Sequence, residues 1–393
     1  MFTKALMLLC ASMFLGYAGQ AILNPIIPIY VNRLGGSASL AGFALLAFAV
    51  PSFLVRPVLG PIADRVGHAL MLTFGIVGLT LAGLGLFIPS LVALFIALGL
   101  RGLAWAGLNI GGYASLATAA PPDRRGEATG YFYSAVTGAF VVFPALGLWL
   151  VYGPGGVTAV FAVTFATTAA AIPVALAMLK GERAERQVAR AAPQPDTLAP
   201  ASGGKALNFR LVVAMMLSLC QTLPAPAVAA FLPLFAEKEQ LGDVSSYYII
   251  SGVLIVLLRV VLGKRADSLG QAPLIAIGFL AQTIGFLMVW CATTLPVVLI
   301  GAIVASVGPG LIGAATTTLA MDAAPPERRG QAMATFTMTF QIGAGFGSVL
   351  AGALADLLGV RGMYLGSIVI SLVGAAFLAA VWKTMPRRVL SEQ

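Results

Sequence analysis

The sequence is poor in charge, in histidine and in cysteine, and each shortage excludes something. Only 9% of its 393 residues are Asp, Glu, Lys or Arg, whereas a water-soluble domain carries about 25%. With 59% hydrophobic residues and a mean hydropathy of +0.97, the chain is not a soluble globule but a membrane protein. His68 is the only histidine, and Cys10, Cys220 and Cys291 all lie inside apolar runs. Neither a metal cluster nor a disulfide framework follows, and no cofactor is expected. Carboxylates are missing from the middle of every apolar run, since all 14 fall in loops or near run ends. Without a histidine or an acid in the membrane there is no nucleophile and base for an embedded enzyme. No G-x-x-x-x-G-K-[ST] loop is present, so direct ATP drive is not expected.

What the chain does have is a succession of apolar runs about 20 residues long, the length that crosses a bilayer as a helix. Strands of a membrane barrel would instead give short alternating segments. The runs predict twelve helical spans, at 5–30, 39–61, 70–88, 91–117, 128–152, 157–179, 208–236, 245–262, 272–292, 295–320, 331–358 and 362–382. The net charge of +9 does not point to nucleic acid, because the cations alternate with the spans. Lys4, Arg65, Arg124, Arg125, Lys180, Arg183 and most others fall on one side, and only Arg33, Lys238 and Arg361 on the other. The positive-inside rule then puts both termini on the cytoplasmic side, and the membrane expected is a bacterial-type inner membrane. The first run is too long for a signal peptide and reads as an uncleaved helix. Residues 180–207 are charged, then rich in Ala, Pro and Ser, and read as a cytoplasmic linker between bundles at 1–179 and 208–393.

The chain is also written twice. Arg56 to Gly67 reads RPVLGPIADRVG, and about 200 residues later Arg259 to Gly270 reads RVVLGKRADSLG. Pro121 to Gly126, PPDRRG, returns at nearly the same offset as Pro325 to Gly330, PPERRG. Long-period repetition in an apolar chain marks a transporter built from repeats. Two six-helix halves, the G-x-x-A-D-R-x-G loop after span 2 and P-P-D/E-R-R-G before spans 5 and 11 together resemble the major facilitator superfamily. Within it the chain is most similar to bacterial drug:proton antiporters and sugar-efflux permeases. It departs from their pattern in having His68 and Ala69 after Gly67, and only Gly138, Pro144 and Gly147 of the span-5 glycine series. The resemblance implies an all-α membrane fold of two pseudo-symmetric bundles, acting as a monomer.

The resemblance also assigns roles. Asp64 would meet the N-terminus of span 11 near Gln331 and latch the cytoplasmic side, because a carboxylate is attracted to the positive end of a helix dipole. Gly60 and Gly67 would permit the turn, Arg65 would pair with Asp123 or Glu127, and Gly263, Asp267 and Gly270 would mirror the arrangement. The duplicated Arg56 and Arg259 fit either a headgroup anchor or a part in the gate. Arg101, near the middle of span 4, is the one deeply placed charge and resembles the family's span-4 Arg motif. It should meet carbonyls, water or an anionic group of the substrate. In this fold spans 1, 4, 7 and 10 line the cavity, so Gln20, Asn24, Trp105, Asn109 and Gln221 are candidate substrate contacts, with Tyr133 and Gln341 as additions. Pro25, Pro28, Pro224, Pro226 and Pro233 should bend spans 1 and 7, and Gly107, Gly111, Gly308, Gly310, Gly343 and Gly347 should allow close helix contact.

The expected function is export of small organic molecules by proton-coupled alternating access. Uptake or facilitated movement of an anionic or zwitterionic metabolite is the alternative, and a lipid flippase would fit the same fold.

Overall fold

The computed structural model describes residues 3–119, 125–190, 208–323 and 329–382. These are helices joined by short connections, as a bilayer demands of a chain that must satisfy its own backbone. The first half contains α1 (Lys4–Ala21), α2 (Ile26–Arg33), α3 (Ala38–Leu54), α4 (Arg56–Val66), α5 (His68–Leu84), α6 (Leu91–Ala119), α7 (Arg125–Tyr152) and α8 (Gly156–Arg190). The second contains α9 (Phe209–Thr222), α10 (Pro226–Ala229), α11 (Leu232–Lys238), α12 (Ser245–Leu269), α13 (Gln271–Cys291), α14 (Leu295–Ala305), α15 (Val307–Asp322), α16 (Arg329–Leu358) and α17 (Gly362–Val381).

Among the described residues 10 stretches are long and apolar enough to cross a membrane, and the bent pair α3–α4 makes 11. The twelfth expected span falls on α12, whose apolar part, Ser245–Leu258, is shorter than the others. Helix α8 runs on to Arg190, past the expected boundary at residue 179; 191–207 lie outside the described residues. Helix breaks follow the prolines. Pro25 stands between α1 and α2, and Pro224 and Pro226 at the joint of α9 and α10, because proline has no N–H to give and its ring clashes with the preceding turn. Pro57 does the same one residue into α4, and α3 and α4 meet there at 51°.

Packing divides the chain into two compact units, residues 1–30 with 47–200, and 31–46 with 201–393. In the first unit α5 and α6 lie close together because glycines face the contact: a Cβ on Gly75 would overlap Leu108 N, and one on Gly111 would overlap Leu72 N. The second unit has a core of Leu211, Leu217, Ile275, Phe279, Ile312, Phe336 and Leu378. Residues 31–46, placed by sequence in the first bundle, pack in the second unit. Asp356 accepts hydrogen bonds from the backbone N–H of Ala38 (3.0 Å) and Ser39 (2.8 Å), the first residues of α3. A Cβ on Gly42 would overlap Ser348 O, and one on Gly352 would overlap Ala38 O. At the start of α17, Arg361 pairs with Glu239 at 2.6 Å and donates to Trp290 O at 2.9 Å.

Large apolar side chains such as Phe74, Leu81, Val92, Trp149, Leu357 and Val369 are exposed. Water would not tolerate so much bare hydrocarbon, and a lipid bilayer covers it. Inside, threonines and serines return their hydroxyls to the carbonyl one turn back, as Thr73 does to Ala69 and Thr80 to Ile76.

Candidate functional site

The polar residues of the first unit converge on helices α1 and α6. On α6, Arg101, Trp105, Asn109 and Tyr113 follow one another at four-residue steps and therefore share a face. On α1, Tyr17 and Gln20 share a face, and Asn24 follows at helical spacing in the turn before the Pro25 break. Tyr17 donates to Asn109 Oδ1 at 2.5 Å, and Asn109 Nδ2 donates to Trp105 O at 2.8 Å. The Tyr17 and Trp105 rings lie 4.4 Å apart, with Phe48 5.9 Å from Trp105 and Phe140 5.8 Å from Tyr17. One turn further along α6, Tyr113 packs on Phe132 and on Tyr133 of α7, ring centroids 5.1 and 6.0 Å away. Tyr113 and Tyr133 remain 39% and 48% exposed, so this aromatic wall has an accessible end.

Arg101 occupies the opposite, closed end. Its exposure is 0%, and its guanidinium donates to Leu79 O at 3.0 Å, Gly19 O at 2.9 Å and Gln20 Oε1 at 3.3 Å. Gln20 in turn donates to Asn24 Oδ1 at 3.4 Å. Thus the sequence candidates Gln20, Asn24 and Arg101 form one chain of hydrogen bonds, with carbonyls as the partners of the guanidinium. Its Nε is buried without a hydrogen-bond partner among the described residues. Trp105, Asn109 and Tyr133 belong to the aromatic wall. Tyr17 and Tyr113 were not singled out by sequence, although each keeps helical register with residues that were.

In the second unit Gln221 is buried, and its backbone oxygen accepts from Gln282 Nε2 at 3.3 Å. Gln341 is half-buried on α16. Close by, Ser218 and Thr339 share a hydrogen bond of 3.2 Å. A Cβ on Gly343 or Gly347 would overlap Thr222 Oγ1 or Leu223 O, so these glycines bring α16 against α9. A groove of about 220 Å³ between α13 and α17, lined by Phe279, Leu280, Leu372 and Trp382 among others, has Thr283 as its polar contributor.

The loops expected to gate are partly described. Asp64 is 78% exposed and lies 3.5 Å from His68 Nε2. Gly67 (φ 113°) ends α4 and Gly270 (φ 82°) opens α13, both in backbone conformations that side chains avoid. Gly60 differs: it sits within α4 rather than at the turn expected of it, and a Cβ there would meet nothing within 4 Å. Arg65 is exposed, and Glu127 lies in the first turn of α7, where Tyr131 donates to it at 3.3 Å. A carboxylate not foreseen, Glu182, accepts from the Ala69 N–H at 2.6 Å at the start of α5. Asp123, and the side chains at Gly263, Asp267, Arg259 and Gln331, lie outside the described residues.

The profile described as Major Facilitator Superfamily matches residues 9–271 and 244–393. Multidrug resistance protein 1 of Bacillus subtilis (strain 168) is 25% identical over 96% of this chain and 96% of its own. An uncharacterised MFS-type transporter of Methanocaldococcus jannaschii is 26% identical over 90% and 92% of the two chains. Among solved structures, a D-xylose–proton symporter superposes with a TM-score of 0.76 at 17% identity, over 98% of both chains.

Proposed function

Because the chain belongs to the Major Facilitator Superfamily and is therefore a membrane transporter rather than an enzyme, we propose that it exports small organic molecules across the cytoplasmic membrane by proton-coupled alternating access. The observation that carries this reading is the aromatic wall of Tyr17, Trp105, Phe140, Tyr113 and Tyr133, whose rings pack on one another and whose Tyr113 and Tyr133 end is partly exposed. Flat apolar faces hold aromatic and apolar bodies by dispersion and stacking without demanding one pattern of hydroxyls. The name of the Bacillus subtilis relative, a multidrug resistance protein, supports the same direction.

In this reading Trp105, Asn109 and Tyr133 contact substrate, Gln221 and Gln341 serve the second unit, and Gln20, Asn24 and Arg101 hold α1 and α6 in place beside the site. Asp64, Arg65, Gly67, Glu127 and Gly270, with Gly60, Asp123, Gly263 and Asp267, belong to the cytoplasmic gate. Protons would use Asp64 and Glu127, which lie at helix ends, or travel on the substrate. A facilitator of anionic metabolites is the second reading, favoured by the lack of a carboxylate near mid-span.

The test is retention of labelled cationic, neutral and anionic compounds in cells expressing wild type, Trp105→Ala or Asp64→Asn, with and without a protonophore. Lower retention of some compound in wild type, reversed by each variant and by the protonophore, is the expected result. Retention that rises with expression, or that ignores the protonophore, refutes proton-driven export.

A further inference from the structure

The groove between α13 and α17 takes its shape from where small residues fall. On α13, Ala276, Leu280 and Thr283 recur at helical spacing, and on α17 Leu372, Ala375, Ala379 and Trp382 do the same, so each set forms a stripe along its helix. The alanines leave a channel between the helices, which buried Phe279 and Leu378 close on the inner side. Leu280, Leu372 and Trp382 are exposed and form its rim. Thr283, its polar contributor, turns its hydroxyl to Phe279 O at 2.8 Å. The lining therefore offers dispersion contacts along its whole length.

Leu372 to Trp382 covers about 15 Å of helix rise, and the hydrocarbon core of a bilayer is about 30 Å thick. The groove is thus as long as one leaflet. It occupies the half of α17 that ends at Trp382, and tryptophan settles where hydrocarbon meets headgroups. Beyond Trp382 the sequence continues with Lys383, Arg387 and Arg388, and no acid occurs before Glu392. Arg388 can lie no farther than about 20 Å from Trp382, so all three cations are tied to the headgroup end of the groove. Their sign marks that end as the cytoplasmic one, whose leaflet carries anionic lipid.

We propose that the groove between α13 and α17 binds one anionic phospholipid of the cytoplasmic leaflet. An acyl chain lies along Ala276, Ala375 and Ala379, and Lys383, Arg387 and Arg388 supply the charge that selects the headgroup. The alanines admit a chain that larger side chains would displace, and the cations add a preference that ordinary lipid contact lacks. The site stands apart from the direction and coupling of transport.

The test uses the purified full-length chain in detergent, titrated with phosphatidylglycerol or phosphatidylcholine brominated on the acyl chains. Bromine quenches tryptophan at close range, and the difference between wild type and Trp382→Phe isolates the Trp382 signal from those of Trp105, Trp149 and Trp290. Phosphatidylglycerol should quench Trp382 saturably, at a concentration at least about tenfold below that needed for phosphatidylcholine, since each cation contributes about fivefold. Lys383→Gln, Arg387→Gln and Arg388→Gln combined should bring the two lipids to within about twofold of each other. Ala379→Phe should abolish the Trp382 signal for both lipids, and Ala380→Phe, exposed on the same helix outside the groove, should leave it. Quenching that does not saturate, or that is equal for the two lipids in wild type, marks ordinary lipid contact and overturns the proposal. A preference that persists without the three cations overturns it too, as does a signal unchanged in Ala379→Phe. If the thermal midpoint shows that Ala379→Phe does not fold, the charge variant, altered only beyond the groove, decides alone.

Discussion

One arginine illustrates how much a residue's surroundings decide. Arg101 could be picked out of the sequence as the one deep charge, and carbonyls were among its expected partners. The structure supplies Leu79 O, Gly19 O and Gln20 Oε1 and leaves no surface exposed. Which atoms it would find depended on how α1 and α5 approach α6, and that is not written in span 4 alone. Replacing it with Leu should leave those carbonyls unpaired, at about 1–3 kcal/mol for each. The thermal midpoint in detergent should fall sharply. A variant with an unchanged midpoint and altered substrate preference would instead put Arg101 in contact with ligand. Tyr17 and Tyr113 were legible in principle, since they continue the helical register of Gln20 and Asn24 and of Trp105 and Asn109. Sequence alone does not single them out, because a tyrosine in an apolar run looks like packing until its hydroxyl is seen to bond.

At the scale of helices, the duplicated loop shows which of its letters carry backbone strain. Gly67 and Gly270 have φ of 113° and 82°, whereas Gly60 is an ordinary helical residue with open space around it. Gly67→Ala should therefore lower stability by about 1–3 kcal/mol, and Gly60→Ala should be neutral or raise it by up to about 1 kcal/mol. Thermal unfolding of the two variants checks the contrast; equal effects would contradict it. The same letters occur a third time, Gly352 to Gly359, GALADLLG, at the end of α16. Gly359 again has positive φ, 77°, and Asp356 caps α3 through the N–H groups of Ala38 and Ser39. Loss of that carboxylate in Asp356→Ala should destabilise the start of α3 by about 0.5–2 kcal/mol. Faster amide exchange confined to residues 38–42 would report it, and unchanged exchange would show that the cap contributes nothing.

For the whole molecule, scarcity of charge and the repeat were enough to give an all-helical transporter in two halves, because a bilayer leaves a chain few other ways to satisfy its backbone. What could not be read was the grouping of residues 31–46 with the second unit. That depends on Gly42 approaching closely the segment that holds Gly352 and Asp356, which lies far from it in sequence. Nor does the sequence order the energetics of transport, since its carboxylates lie at helix ends rather than beside the aromatic wall. The central claim is that a proton gradient drives organic molecules outward, and everted membrane vesicles containing the protein test it most directly. With an acidic interior they should accumulate a compound whose retention the protein lowers in cells, and a protonophore should release it. Accumulation that is indifferent to the gradient, or that appears only in right-side-out vesicles with an alkaline interior, would contradict proton-driven export.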